Sequence, residues 1–181
     1  MEKKEVQRSI SRYFKQHFIE YVSDNEDGID RFTLAFYGYD NSPDRLIEAC
    51  IFFYEEEMEV RTYYDENGSA WIANSKNKPG LYRLLNFINA RVFLITPNDG
   101  LGGSLYRSSY MYSPKIYITE DGFWDLTLTT VIPYYFYSVA PLETMDYLTV
   151  SCPSCLNQLA VPIFSLALDK ITVKRGIEMI K

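Results

Sequence analysis

The sequence predicts an α+β fold, in which an antiparallel or mixed sheet of about five strands carries N-terminal, central and C-terminal helices on it. Two observations support this prediction. Apolar and polar residues alternate in segments within 31–64 and again at 115–132, as in half-buried strands. Apolar residues three and four positions apart precede, separate and follow these segments, and that is the helical period. The predicted element order is α-βββ-α-ββ-α.

The clearest strands form a predicted β-hairpin that turns at Gly122. A three-residue loop with Gly122 in the left-handed conformation pairs Ile118 with Trp124. A two-residue Asp-Gly loop would instead place Ile118 opposite Asp125. Only the first register keeps the apolar residues on one face of the sheet, so we expect it. The apolar face of the second strand is then Trp124, Leu126, Leu128, Thr130 and Ile132.

The first part of the chain predicts one helix and three strands. The helix covers residues 5–22, and the polar run that follows it predicts a turn. Strands are predicted where β-branched and aromatic residues are dense or alternate with polar ones, at 31–39, 46–54 and 58–64.

The middle of the chain predicts a turn, a short strand, a helix and a loop. Asn67-Gly68 predicts a tight turn, and 70–72 predicts a short returning strand. Pro79 opens a predicted helix that ends at Arg91. The glycine-rich segment 95–114 predicts a connecting loop.

The last third of the chain is predicted to be helical. The tyrosine-rich segment after Pro133 is not expected to be a central strand. Helix is predicted over 142–170, and Pro153 and Pro162 should each kink or restart it. Thr172 is expected to cap a short final helix.

Length and composition predict one acidic domain, residues 1–181. The 16 Tyr and 11 Phe fit the strands of a sheet, and they also fit a surface that binds a partner. The net charge of −6 argues against a nucleic-acid partner, because phosphate binding needs clustered Lys and Arg.

Three features bear on the compartment. The charged first residues are followed by no apolar run, which predicts no secretory signal. Residues 147–168 carry no charge and are long enough to span a bilayer, but their prolines and polar residues favour a buried helical segment over a membrane span. The odd count of 3 cysteines favours a reducing cytoplasm. We therefore expect a cytoplasmic protein with no membrane partner.

Cys152 and Cys155 form the sharpest chemical motif, a C-x-x-C. At a helix N-terminus such a motif makes a redox nucleophile, because the helix dipole lowers the first thiol's pKa. It could also be half of a zinc site, although only Cys50 and His17 remain as further ligands. Structural burial is favoured over both, because the motif lies in an uncharged segment and no βαβ pattern precedes it. We expect no metal and no cofactor.

The element order and one helix carry a family resemblance. The run 84–92, which contains the Asn89-Ala90-Arg91 step, resembles the helix of YbjN-like proteins that precedes a loop and a glycine-turned hairpin. These are bacterial sensory transduction regulators with a fold similar to type III secretion chaperones. The final helical region, closing at 167–172, extends the resemblance. It implies a non-enzymatic module that binds another protein or regulates it, and it supplies no catalytic residues.

We therefore expect a non-catalytic, chaperone-like module that binds another protein. The expected contact surface consists of aromatic residues on an open sheet face or edge, namely Tyr117, Phe123, Tyr134, Tyr135 and Tyr137. One alternative is a thiol-disulfide protein that uses Cys152 and Cys155. Another is a small-molecule sensor with its ligand between the sheet and the helices of 143–168. The sequence leaves the partner's identity and a homodimer open.

Overall fold

The computed structural model of the protein describes residues 1–91, 93–95, 105–107 and 114–180. The strands in chain order are β1 (Tyr21–Glu26), β2 (Ile29–Tyr37), β3 (Leu46–Phe53), β4 (Glu57–Tyr64), β5 (Phe93–Ile95), β6 (Leu105–Arg107), β7 (Lys115–Ile118) and β8 (Leu126–Pro133). Six of them form one antiparallel sheet in the order β1-β2-β3-β4-β8-β7, and β5 pairs with β6 alone. The predicted α+β class is confirmed.

Most of the helices border this sheet. In chain order, the described α-helices are α1 (Lys3–Gln16), α2 (Glu66–Ala73), α3 (Lys78–Arg91), α4 (Tyr134–Val139), α5 (Pro141–Asp146), α6 (Cys152–Ala167) and α7 (Val173–Ile180). A 3₁₀ turn (Pro43–Arg45) precedes β3, and a π-helical turn (Tyr147–Ser151) joins α5 to α6.

The core lies between one face of the sheet and the helices. Phe14 of α1 packs with Phe32 of β2 at a ring-centroid distance of 6.3 Å. Tyr64 of β4 packs edge-on against Phe164 of α6 at 4.8 Å, and its hydroxyl donates to the Leu156 carbonyl at 2.7 Å. One continuous cluster of buried apolar residues joins these helices to the strands, so the opposite face of the sheet is left outside the core.

The N-terminal prediction is wrong at its end. Helix α1 stops at Gln16. Strand β1 contains Tyr21 and Val22, which were predicted to end the helix, and residues 23–26, which were predicted as a turn. Tyr21 pairs with Leu34 of β2. The turn that follows is a hairpin in which Asp27 and Gly28 both have positive φ, 52° and 83°. That is the type I′ geometry expected of Asp-Gly between two strands. Strand pairing with β2 therefore overrides the helical spacing of the apolar residues.

The prediction for residues 67–72 is also wrong, because the segment is helix α2. Asp65 caps the helix by accepting a hydrogen bond from the Gly68 N–H at 3.1 Å. Gly68 is buried, and a Cβ atom there would lie 2.6 Å from the Tyr64 Cβ. Close packing against Tyr64 therefore requires a glycine at this position. The Asn67-Gly68 pair predicted a turn, but Gly68 serves this packing inside a helix instead.

The hairpin exists, but its predicted register is wrong by two residues. Ile118 pairs with Leu126, not with Trp124, and the loop closes where the Thr119 N–H donates to the Asp125 carbonyl at 2.9 Å. A shift of two keeps every side chain on its predicted face. The apolar pattern therefore could not distinguish the two registers, and Trp124 lies in the loop.

The C-terminal region is helical, as predicted. The π turn precedes α6 just before Pro153, whereas Pro162 lies inside α6, so only the first proline coincides with a break. Thr172 caps α7, as predicted, by accepting from the Arg175 N–H at 3.3 Å. Most of the predicted loop 95–114 falls outside the described residues, although it includes β6.

Candidate functional site

The face of the sheet that points away from the core is the candidate site, and we call it the open face. Its residues alternate with core residues along each strand. Cross-strand pairing aligns Thr33, Cys50, Arg61 and Thr129 in one row across β2, β3, β4 and β8. Cys50 is buried but does not belong to the core cluster. The centre of the open face is therefore a recess in the protein surface.

Two arginines border this recess, and each already has a carboxylate partner. Arg31 Nε donates to Asp24 at 2.6 Å, and Arg31 also pairs with Glu26. Arg61 Nε donates to Glu59 at 2.8 Å. The hydrogen bond from Arg31 lowers the pKa of Asp24 below its ordinary value. With their charges matched, these arginines do not make the open face attractive to an anion.

Three adjoining clefts cross the open face. The central one, about 260 Å³, contains Cys50 and Tyr63. A second, about 570 Å³, lies beside β1 and shares Thr33 with the first. A third, about 450 Å³, lies between α2 and the hairpin loop and shares Tyr63 with the first and Glu48 with the second. The clefts therefore form one continuous concave surface.

Carboxylates dominate the part of this surface around Glu48. Burial raises the pKa of Glu48 above its ordinary value, and the negative charges of Asp65, Asp125 and Glu66 raise it further. Two of these neighbours also make structural contacts. Asp65 caps α2, and Asp125 accepts a hydrogen bond from the Ser69 hydroxyl at 2.6 Å. Glu48 thus lies in a local excess of negative charge, which a cationic group would relieve.

The two edges of the sheet differ in whether their outward backbone groups have partners. At the β7 edge, the Asn89 side chain donates to the Ile116 carbonyl and accepts from the Ile116 N–H, each at 2.8 Å. This amide occupies backbone groups that another strand would need. At the other edge, β1 begins opposite Leu34, so residues 35–37 of β2 pair with β3 but have no partner in β1.

Only some of the predicted contact residues reach the surface. Tyr117 lies on the open face and is 37% exposed, Phe123 in the hairpin loop is 73% exposed, and Tyr135 on α4 is 64% exposed. Tyr134 and Tyr137 are 3% and 1% exposed, so their prediction as contact residues is wrong. Both face inward because helix α4 turns them towards the core.

Hydrogen bonds hold the two buried tyrosines in place. The Tyr134 hydroxyl donates to the Tyr54 carbonyl at 2.7 Å, and the Tyr137 hydroxyl donates to Ser9 Oγ at 2.9 Å. Sequence reasoning missed the residues that define the open face, including Tyr37, Glu48, Cys50 and Tyr63. The alternation along β2, β3 and β4 was the signal that could have found them.

The C-x-x-C motif is buried. Cys152 and Cys155 lie on the first turns of α6, and both are buried, at 2% and 1% exposure. Burial raises the pKa of Cys152 well above its ordinary value, which is the opposite of an activated thiol. Both cysteines lie in the core cluster, which agrees with the predicted structural burial of the motif.

The other two candidate ligands lie elsewhere. His17 is exposed at the end of α1 and stacks on Tyr13 at 4.1 Å. Within the part of the chain that the structure describes, no group of three or more His, Cys, Asp or Glu side chains could hold a metal ion.

One helical stretch among the described residues, Pro141–Ala167, is long and apolar enough to cross a membrane. Within its most apolar window, 61% of the residues are buried inside the protein. That burial is typical of a core helix in a soluble protein, and it agrees with the predicted buried helical segment.

Together these features define an α+β protein with an open, concave sheet face. A scan of protein-family models gives no match to this chain, and comparisons with curated proteins and with solved structures likewise give none. The resemblance to YbjN-like proteins therefore stays a prediction.

Proposed function

We propose that this protein is a non-catalytic module that binds another protein on the open face of its sheet. The observation that carries this proposal is the continuous concave surface formed by the three clefts, which no described helix covers. The described helices place their buried apolar residues on the other face, and α2 borders the open face at one end, so the rest of this face is available to a partner.

The aromatic side chains on and around this surface support a protein as the partner. Tyr37 is 78% exposed beside the cleft of about 570 Å³, and Tyr117 and Phe123 lie at the other end of the open face. Phe52 lies on the same face beneath the Arg61 guanidinium, which is 4.8 Å from the ring centroid. Tyr, Phe and Arg are the residue types that interfaces between proteins prefer.

The two alternative functions have less support. A thiol-disulfide activity needs accessible, low-pKa thiols, whereas Cys152 and Cys155 are buried. A small-molecule sensor was expected to hold its ligand between the sheet and residues 143–168. The described clefts are instead lined by residues of the open face, the sheet edges, the hairpin loop, α1 and α2. A regulatory, cytoplasmic role in a bacterium remains part of the proposal, carried by the family resemblance.

Site-specific photo-crosslinking in cells tests this function. We would replace Tyr37 and Tyr117, one at a time, with p-benzoylphenylalanine. Tyr135 is the matched control position, because it is exposed on α4 and lines none of the three clefts. Both open-face positions should give the same protein adduct, and the control should not. The adduct should disappear with excess unmodified protein as competitor, but persist with a Tyr37→Ser/Tyr117→Ser competitor. Adducts formed from Tyr135 alone, or none that compete in this way, would overturn the proposal.

A further inference from the structure

The cleft of about 570 Å³ lies where β1 falls short of its neighbour. Strand β2 extends to Tyr37, but β1 begins opposite Leu34. Residues 35–37 therefore have a sheet partner on the β3 side and none in β1. An extended strand is left with backbone hydrogen-bonding groups that face outward along this stretch.

No described residue pairs with this stretch from the β1 side. The Ile19 N–H donates to the Phe14 carbonyl at 2.9 Å, which ties the segment before β1 to the end of α1. Phe18, just before it, has a positive φ of 56° and turns the chain there. Between this segment and residues 35–37 lies the cleft of about 570 Å³, a volume typical of sites that bind drug-sized ligands.

The lining of the cleft combines apolar walls with negative charge. Ile19, Val22 and Ala35 supply apolar surface, and Glu20 and Glu48 are the charged residues among the described lining. No lysine or arginine belongs to that lining. Since like charges would repel and Glu48 is already disfavoured as an anion, the cleft favours a cationic guest.

We propose that this cleft receives a short extended segment of a partner protein, which carries Lys or Arg beside apolar residues and pairs with residues 35–37 of β2. Strand addition supplies affinity through backbone hydrogen bonds, and alternate side chains supply specificity. An apolar side chain enters the cleft between Val22 and Ala35, while a neighbouring cation approaches Glu20 and Glu48. This inference rests on the proposed function and names the partner's chemistry.

A second copy of this chain is a poorer occupant. Strand β1 carries Asp24 and Glu26, and Glu20 precedes it. Two copies paired edge to edge about a two-fold axis would bring these acidic strands together, and like charges on facing strands are destabilising. Arg31 is already engaged by Asp24 and Glu26, so it cannot offset that repulsion fully.

The test uses peptides of defined chemistry and the full chain. A labelled hexapeptide of alternating Lys and Val is compared by fluorescence anisotropy with a matched Glu and Val peptide, and with a Lys and Val peptide N-methylated at alternate amides. Only the first should bind, because the second has the wrong charge and the third cannot pair with a strand. Hydrogen exchange of residues 35–37 should slow only with the first peptide.

A variant and its control locate the charge contact. Glu48→Gln should weaken binding of the Lys and Val peptide by about two- to fivefold, the range of a partly exposed ion pair. Glu57 lies on the open face at the far end of the neighbouring strand β4. Glu57→Gln should therefore leave binding of the peptide unchanged. Equal binding of the Lys and Glu peptides, or equal effects of the two variants, would overturn the inference. Protection of residues 35–37 that grows with protein concentration without peptide would overturn it in favour of a second copy.

These outcomes separate the inference from the function on which it rests. If photo-crosslinks form from Tyr37 and Tyr117 while the peptides do not discriminate, the open face binds a protein of different chemistry. If the crosslinks also fail to form, both the inference and the proposed function are wrong.

Discussion

The two faces of the central sheet differ in what their side chains gain from folding. On the inner face, Ile51 and its neighbours are buried by helices in one apolar cluster. On the open face, adjacent residues of the same strands keep charges close together, and burial of Glu48 raises its pKa. A face that bears such costs without forming core is typical of a surface kept for binding. Four predictions test this difference, each with substitutions at matched positions.

The largest effect is expected from neighbouring residues of β3 that point to opposite faces. Ile51→Ala should lower the free energy of unfolding by about 2–5 kcal/mol, because Ile51 is fully buried and a cavity would remain. Phe52→Ala should cost about 1 kcal/mol or less, mainly through the lost contact with the Arg61 guanidinium. Urea denaturation measures both, with an unchanged m-value as the control for two-state unfolding. Equal losses would contradict the assignment of faces.

The next effect concerns the sheet edge that is closed. Asn89→Ala removes both hydrogen bonds to the Ile116 backbone, which should cost about 1–3 kcal/mol because two partly buried polar groups lose their partners. Exposure of the β7 edge should also promote self-association, measurable by analytical ultracentrifugation. Asn86→Ala, an exposed residue on the same helix, is the control and should change neither. A monomeric Asn89→Ala protein of normal stability would show that the amide does not protect this edge.

The third effect is a gain on the inner face. Thr62 is fully buried between Ala49 and Leu128, and its hydroxyl has no hydrogen-bond partner among the described residues. Thr62→Val removes this unsatisfied group at nearly constant volume, so stability should rise by about 1 kcal/mol. Thr129→Val on the open face is the control and should give no gain, because the Thr129 hydroxyl donates to Tyr117 at 3.2 Å. Thermal unfolding would show the difference, and a destabilised Thr62→Val protein would contradict it.

What the sequence could predict follows the same division. The alternation within β2, β3, β4 and β8 separates core from surface, so the class of fold and the inner face were predictable. Alternation repeats every two residues, however, and it could not choose between Trp124 and Leu126 as the partner of Ile118. Pairing with β2 turned residues predicted as helix into β1, because contacts distant in sequence override local spacing.

The candidate site was less predictable than the fold. Tyr134 and Tyr137 looked like surface aromatics, but the orientation of α4 and the distant partners Tyr54 and Ser9 bury them. The cleft beside β1 depends on where one strand stops relative to another. No residue type marks such a difference in length, so it emerges only from the assembled sheet.

The smallest stability effect is expected at Glu48, and it depends on pH. Because the folded-state pKa of Glu48 is raised, ionisation of this carboxyl disfavours the folded state above that pKa. This cost disappears as pH falls through the raised folded pKa to below the unfolded value. Glu48→Gln should therefore stabilise the protein near neutral pH, by less than the Thr62→Val gain, and the difference should vanish in mild acid.

Denaturant titrations of the wild type, Glu48→Gln and Glu57→Gln at several pH values measure this effect. Glu57 is exposed at the far end of β4, so its variant should follow the wild type throughout. A Glu48→Gln protein that is more stable yet binds the Lys and Val peptide less well would show that the open face gives up stability for recognition. If Glu48→Gln does not raise the free energy of unfolding near neutral pH, the open face does not give up stability at Glu48. The contrast drawn between the two faces would then be wrong at this position.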